Sequence, residues 1–166
     1  MKKRIGLYVG IAVVSGLLLV WLLFPSDEEK IRGQFDELSR IASKTEDAST
    51  IADALVLADF RSLFAPKVLL KTGRARLAGE YTDQELMQLY GRIRVNAKRL
   101  SLRFERIEFV SLNDAEAIVN SDVHAGGTAK QGKSRAESFR AEVRLSKLEG
   151  DWLFQQFTYL DSLPDD

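Results

Sequence analysis

The chain has no cysteine, one histidine (His124), two methionines and three prolines in 166 residues. Without cysteine there is no disulfide, no thiol nucleophile and no lipoprotein-type attachment. A single histidine gives a His-based metal site or a Ser–His pair little to build on. No metal-ligand set, phosphate loop or cofactor motif stands out, so neither metal nor cofactor is expected. Charge of one sign is also not in excess: 24 Lys and Arg stand against 24 Asp and Glu. There is no basic run and no basic stripe interleaved with aromatics, so nucleic acid is not an expected partner. Internal repeats and low-complexity tracts are absent.

What is present begins with residues 5–24, IGLYVGIAVVSGLLLVWLLF, which run without a charge directly after Lys2, Lys3 and Arg4. A helix of that length is about 30 Å long, the thickness of a bilayer's hydrocarbon core. Thirteen of its residues are Leu, Ile, Val or Phe. At roughly −0.3 to −0.6 kcal/mol each, they outweigh the glycines and Ser15. The stretch is longer than a signal-peptide core and is followed by Phe24-Pro25-Ser26-Asp27, which offers no small-x-small cleavage site. It reads as an uncleaved span, with Tyr8 and Trp21 at the interfaces and residues 1–4 kept in the cytoplasm by their charge. Gly6 and Gly10 form a GxxxG that fits a pairing face, or simply the commonness of glycine in membrane helices. The expected topology is single-pass, with the C-terminal part exported. The bilayer is then the first partner.

About 140 residues remain, one ordinary domain with enough chain to bury a core. Ser26 and Glu29 have the form of a capping box, and Ile31, Phe35, Leu38 and Ile41 recur at helical spacing to about Lys44. Thr45 to Thr50 is a polar joint. A second helix is expected over 50–64, apolar nearly all round and so buried, with Pro66 ending it. Residues 67–72 and 74–81 read as short strands. Thr82 and Glu85 form another capping box, opening a helix with Leu86, Leu89, Tyr90, Ile93 and Ala97 on one stripe. Four strand-like runs follow. In the first, 100–112, the apolar parity is even, becomes odd at Ile107 and Phe109, then is even again. Each change needs an extra residue, so a bulge is expected near Glu105–Arg106. The second run is 115–125, then a loop over 126–134 in which Gly126-Gly127 reads as a turn. The third is 135–148, and Glu149-Gly150-Asp151 is a hairpin turn into 152–161. Residues 162–166 are an acidic tail. The fold class is α+β: after the transmembrane helix, three helices on a bent, mainly antiparallel sheet.

This order of elements, the hairpin RLSKLEGDWLFQQF (144–157), the segment NDAEAIV (113–119) and the capped helix after Glu80-Tyr81 resemble the nuclear transport factor 2-like, or cystatin-like cone, superfamily. The resemblance covers residues 26–161, and it is similar in form to bacterial single-span proteins without an assigned role, which implies a bacterial inner membrane as the address, with the C-terminal domain in the periplasm. It implies a cone closed at one end. Members include ketosteroid isomerase-like and dehydratase enzymes, ligand-binding or dimerising modules, and the inner-membrane assembly factor of type IV secretion systems. A fold that hosts all of these selects none.

An enzyme of this type needs ionisable groups inside the cone, where burial moves a carboxyl toward neutrality. The candidates are Asp59 in the second helix, Asp122 and His124 two apart on one strand, and Tyr81 and Tyr90 bordering the third helix. Ala117, Val119 and Val123 lie on the opposite face of that strand, so alternation turns Asp122 and His124 outward. Tyr81 and Tyr90 are also simply read as core residues with a wet tip. Arg140, Glu142 and Arg144 alternate with an apolar set and form an outward mixed-charge face. It is a candidate surface for a homodimer or an envelope protein partner, or a merely solvated face. The expected role is a non-catalytic binding or assembly module. The alternatives are a small isomerase- or dehydratase-like enzyme, or a component of an envelope secretion-type complex.

Overall fold

The computed structural model describes residues 25–46, 50–73 and 77–164, without the side chains of 50–54. The expected span at 5–24 lies outside the described residues. Among the described residues no helix is long and apolar enough to cross a membrane. The chain divides into two units, 1–32 and 33–166. The first contains the start of helix α1 (Asp27–Ala42), whose first turn carries Asp27, Glu28 and Glu29. The capping box is formed: Ser26 N–H donates to Glu29 Oε2 at 2.9 Å, and Glu29 N–H donates to Ser26 Oγ at 3.2 Å. Acidic residues there complement the positive end of the helix dipole.

The second unit continues with α2 (Thr50–Ser62), β1 (Phe64–Lys71), β2 (Gly79–Thr82), α3 (Asp83–Asn96), β3 (Ala97–Leu112), β4 (Glu116–Ala129), β5 (Ser134–Leu148) and β6 (Asp151–Ser162). One six-stranded sheet runs in the order β2-β1-β6-β5-β4-β3. The last four strands form the expected antiparallel meander, and β1 lies parallel to β6. Period-two alternation assigns its faces. Ala117, Val119 and Val123 on β4, Ala141, Val143 and Leu145 on β5, and Phe154 on β6 are buried on the inner face. Phe35 of α1 stands edge-on to Phe104 (5.0 Å) and Phe154 (5.1 Å), fixing the helix against that face.

The parity break in β3 is a bulge. Register passes from Glu105↔Asp122 to Glu108↔Asn120, one residue too many on β3, and Arg106 takes a φ of 49°. The Ser121 hydroxyl donates to Glu105 O at 2.7 Å, holding the backbone there. A second irregularity between Phe109 and Ser111 restores the first parity. Such insertions bend a sheet and tighten its twist. Glu149 (φ 52°) and Gly150 (φ 98°) make the β5–β6 turn, as hairpins of this hand require.

Three expectations are corrected. Pro66 does not end α2; the helix stops at Ser62 because the next residues join β6, with Phe154 N–H bonded to Leu63 O at 2.9 Å. Pro66 sits in β1 within the register gap between Phe64 and Leu69, where its missing N–H costs no ladder bond. The second helix is not buried all round: Phe60 is buried but Leu55 is 66% exposed, because one side alone meets α3. Gly126 and Gly127 are not a turn but lie within β4, paired with β3 and β5. A Cβ on Gly126 would come within 2.8 Å of Ser101 Oγ, and one on Gly127 within 3.0 Å of Leu100 Cδ2, so close strand approach explains both glycines.

Helix α3 opens on a complete capping box. Glu85 N–H donates to Thr82 Oγ1 at 3.1 Å and Thr82 N–H donates to Glu85 Oε2 at 2.8 Å. The Thr82 backbone bond, then its hydroxyl, holds the Glu85 carboxyl below its ordinary value. The folded state therefore binds this proton more weakly than the unfolded one. The contribution is present above the ordinary carboxylate range and is lost as pH falls through the lowered value. Thr82→Ala is expected to cost about 1 kcal/mol near neutral pH. Thermal unfolding should show that difference near neutral pH, with only the part due to the hydroxyl–carboxylate bond lost below about pH 4; a variant as stable as wild type near neutral pH would contradict the capping role.

Candidate functional site

The inner sheet face and the helices enclose a cavity of about 860 Å³. Its helical wall is Leu38 and Ala42 of α1, Phe60 of α2, and Leu86, Leu89 and Tyr90 of α3. Its sheet wall carries Phe104, Val123, Phe139, Ala141 and Phe157, with Tyr159 toward the end of β6. The cavity follows from the bend: a curved sheet meets α3 at its margins and leaves the middle unfilled. Its volume lies within the range of small-molecule sites.

Tyr90 is fixed in the wall by stacking and by hydrogen bonds. Its ring stacks on Phe60 with centroids 4.2 Å apart and planes at 18°. Its hydroxyl donates to Ile41 O at 2.7 Å and accepts from Arg94 Nη1 at 2.6 Å. Arg94, only 5% exposed, also reaches Ser43 O at 3.0 Å and Ile41 O at 3.3 Å. These carbonyls end α1, where backbone acceptors lack helical partners and a cation is favoured. The phenol is thus committed to closing a helix, and Tyr90 offers the cavity a ring face rather than a proton donor. Tyr81 is half-buried, its hydroxyl 3.3 Å from Leu77 O.

The other candidates lie elsewhere. Asp59 is exposed on α2. Asp122 and His124 stand on the outer sheet face, opposite in parity to Val119 and Val123. Asp122 is 4% exposed because two guanidinium groups cover it: Arg106 Nη1 and Arg140 Nε each lie 3.3 Å from its carboxylate. His124 Nδ1 is 2.9 Å from Ser138 Oγ, and Nε2 is 3.6 Å from Glu105 Oε2. Arg144 pairs with Glu116 at 3.4 Å and with Glu142 at 3.9 Å. The structure therefore brings Asp122, His124, Arg140, Glu142 and Arg144 together on one outer face, and Tyr90 alone of the catalytic candidates into the cavity wall. Among the described residues no group of His, Asp and Glu is placed to hold a metal ion.

No protein-family model matches this sequence, and no curated protein matches it. Solved structures do. A candidate scytalone dehydratase from Novosphingobium aromaticivorans superposes with a TM-score of 0.66 at 14% identity, over 82% of this chain and 85% of that one. A candidate dehydratase of the nuclear transport factor 2-like family from Streptomyces avermitilis gives 0.61 at 11% identity, over 83% and 98%. An uncharacterised cystatin-like protein from Caulobacter vibrioides gives 0.60 at 10% identity, over 82% and 90%. The fold is nuclear transport factor 2-like. At these identities the likeness speaks for the fold and not for an activity.

Within this nuclear transport factor 2-like cone, sequence reasoning overlooked two residues. Glu137 lines the cavity and is the one charged side chain among its described lining residues. It shares the parity of Phe139 and Ala141, and extending that alternation two residues back along the expected strand 135–148 would have found it. Arg94 follows Leu86 and Tyr90 at four-residue spacing on α3, which places it on the buried stripe. Tyr90→Phe tests the network, since it leaves the buried Ile41 carbonyl and Arg94 each one partner short. A loss of about 1–3 kcal/mol is expected in denaturant unfolding; a neutral variant would show that the hydroxyl does not organise this corner.

Proposed function

We propose that this protein is a membrane-anchored, periplasmic binding module that takes an apolar small molecule in its cone without transforming it. One observation carries the reading: a cavity of about 860 Å³ walled by apolar and aromatic side chains, with Asp59, Asp122 and His124 all outside it. The phenol of Tyr90 is spent on backbone and guanidinium partners, and the remaining polar lining residues are Thr72, Ser138, Thr158, Tyr159 and Ser162 with the exposed Glu137. The anchor rests on the uncharged run 5–24 and the Lys2-Lys3-Arg4 flank, which also set the periplasmic side. The mixed-charge outer face of β4 and β5 is the surface proposed for a second copy or an envelope partner.

A second reading, a small dehydratase- or isomerase-like enzyme, draws on Glu137 at the cavity and on the names of the similar structures. Turnover of a bound molecule that is lost in Glu137→Gln would favour it.

The test uses the full chain in lipid nanodiscs with the apolar fluorophore N-phenyl-1-naphthylamine. Saturable binding is expected for the wild type and at least about tenfold weaker binding for Ala42→Trp, which fills the cavity from α1. Equal signals from the two proteins would place the probe in the bilayer and contradict the reading.

A further inference from the structure

We propose that a cationic patch at one end of the sheet docks on an anionic lipid surface, whatever the cone holds. Two segments far apart in sequence make it: residues 92–99, where α3 passes into β3, and residues 130–135, where β4 turns into β5. They meet through backbone. Ala97 pairs with Ala129, and Lys130 N–H donates to Asn96 O at 3.0 Å. The turn is closed by Ala129 N–H to Lys133 O and Gly132 N–H to Ala129 O, both at 2.9 Å. Arg92, Lys98, Arg99, Lys130, Lys133 and Arg135 thus share one corner of the domain, and all six are exposed.

Carboxylates are few there. Glu46 lies 3.8 Å from Lys98 and 3.9 Å from Arg99, and Glu137, beyond Arg135, has a partner of its own. Among the described residues Arg92, Lys130, Lys133 and Arg135 form no ion pair. Like charges held this close repel one another, and an anionic surface relieves that repulsion. A cluster of this size is of the order that holds anionic headgroups, each cation adding about fivefold to partitioning.

The apolar neighbours decide between a lipid surface and a dissolved polyanion. Val95 is 61% exposed and Ile93 49% exposed, in the last turn of α3 between Arg92 and Lys98. Val95 shares a shallow groove with Arg92 and Asn96. A polyanion gains nothing from these side chains, whereas a headgroup layer takes shallow apolar groups between its basic contacts. Residues 92–99 and 129–136 contain no aromatic ring on which a base could stack. The uncharged run 5–24, read as a span, also holds the domain close to a bilayer, where weak contacts act at high effective concentration.

The experiment puts the full chain in phosphatidylcholine nanodiscs and measures its capture by sedimenting vesicles. Vesicles containing phosphatidylglycerol are compared with pure phosphatidylcholine, and empty nanodiscs are the blank. Capture by the anionic vesicles is expected to be at least about tenfold stronger and to fall steeply with salt. Lys130→Glu with Lys133→Glu should bring it down to the neutral-vesicle level. Arg92→Glu with Lys98→Glu serves the same purpose if the first pair does not fold. Val95→Ser should weaken capture about threefold while leaving its salt dependence. Equal capture by both vesicle types, or capture unchanged in the charge variants, would overturn the proposal. No effect of Val95→Ser, or an oligonucleotide that binds as tightly as the anionic vesicles, would replace the lipid surface by a dissolved polyanion. Binding of N-phenyl-1-naphthylamine is read separately, so failure here leaves the reading of the cone standing.

Discussion

One extra residue in β3, between Glu105 and Glu108, bends the sheet on which the rest of the domain is laid. The bulge places Arg106 in a left-handed conformation that a residue with a Cβ adopts at a cost. Its surroundings offset that cost. The Ser121 hydroxyl takes the Glu105 carbonyl from the inner side, and the Arg106 guanidinium folds back onto Asp122 from the outer side. Asp122, shielded by Arg106 and Arg140, is thus a tie between three strands. Asp122, one of the catalytic candidates read in the sequence, is better understood as part of the device that curves the sheet.

Curvature in turn decides what the helices can do. A flat sheet would let α3 and α2 pack along their length. A bent one lets Phe35 wedge between Phe104 and Phe154 while the space beneath Tyr90 stays open. The buried Arg94 and the Tyr90 hydroxyl close the end of α1 from behind, so the wall is braced by polar contacts directed away from the cavity. Polar groups hold the shell, and the side chains facing the space within it are mainly apolar. That division underlies the proposed binding role.

Much of this was legible because the signals are local. The parity change at Ile107 announced the bulge of β3 near Arg106, and Thr82 with Glu85 announced the start of α3. The alternation of Phe139, Ala141, Val143 and Leu145 announced the inner face of β5. What escaped was set by distant partners. Pro66 looks like a helix stop until β6 captures the residues around it, and Gly126-Gly127 looks like a turn until β3 presses against it. Glu137 lay within the expected strand 135–148 and was passed over because a charged residue near a strand's start reads as solvated surface. The cavity itself has no sequence signature, because it consists of space between rings that each look like ordinary core.

An open, apolar cone is the central claim, and xenon tests it most directly, since an empty apolar cavity takes up xenon and a polar or filled one does not. Crystals of the protein under xenon pressure are expected to show the gas between Tyr90, Phe104 and Phe139. Side chains collapsed into that space, with no xenon among them, would contradict the account.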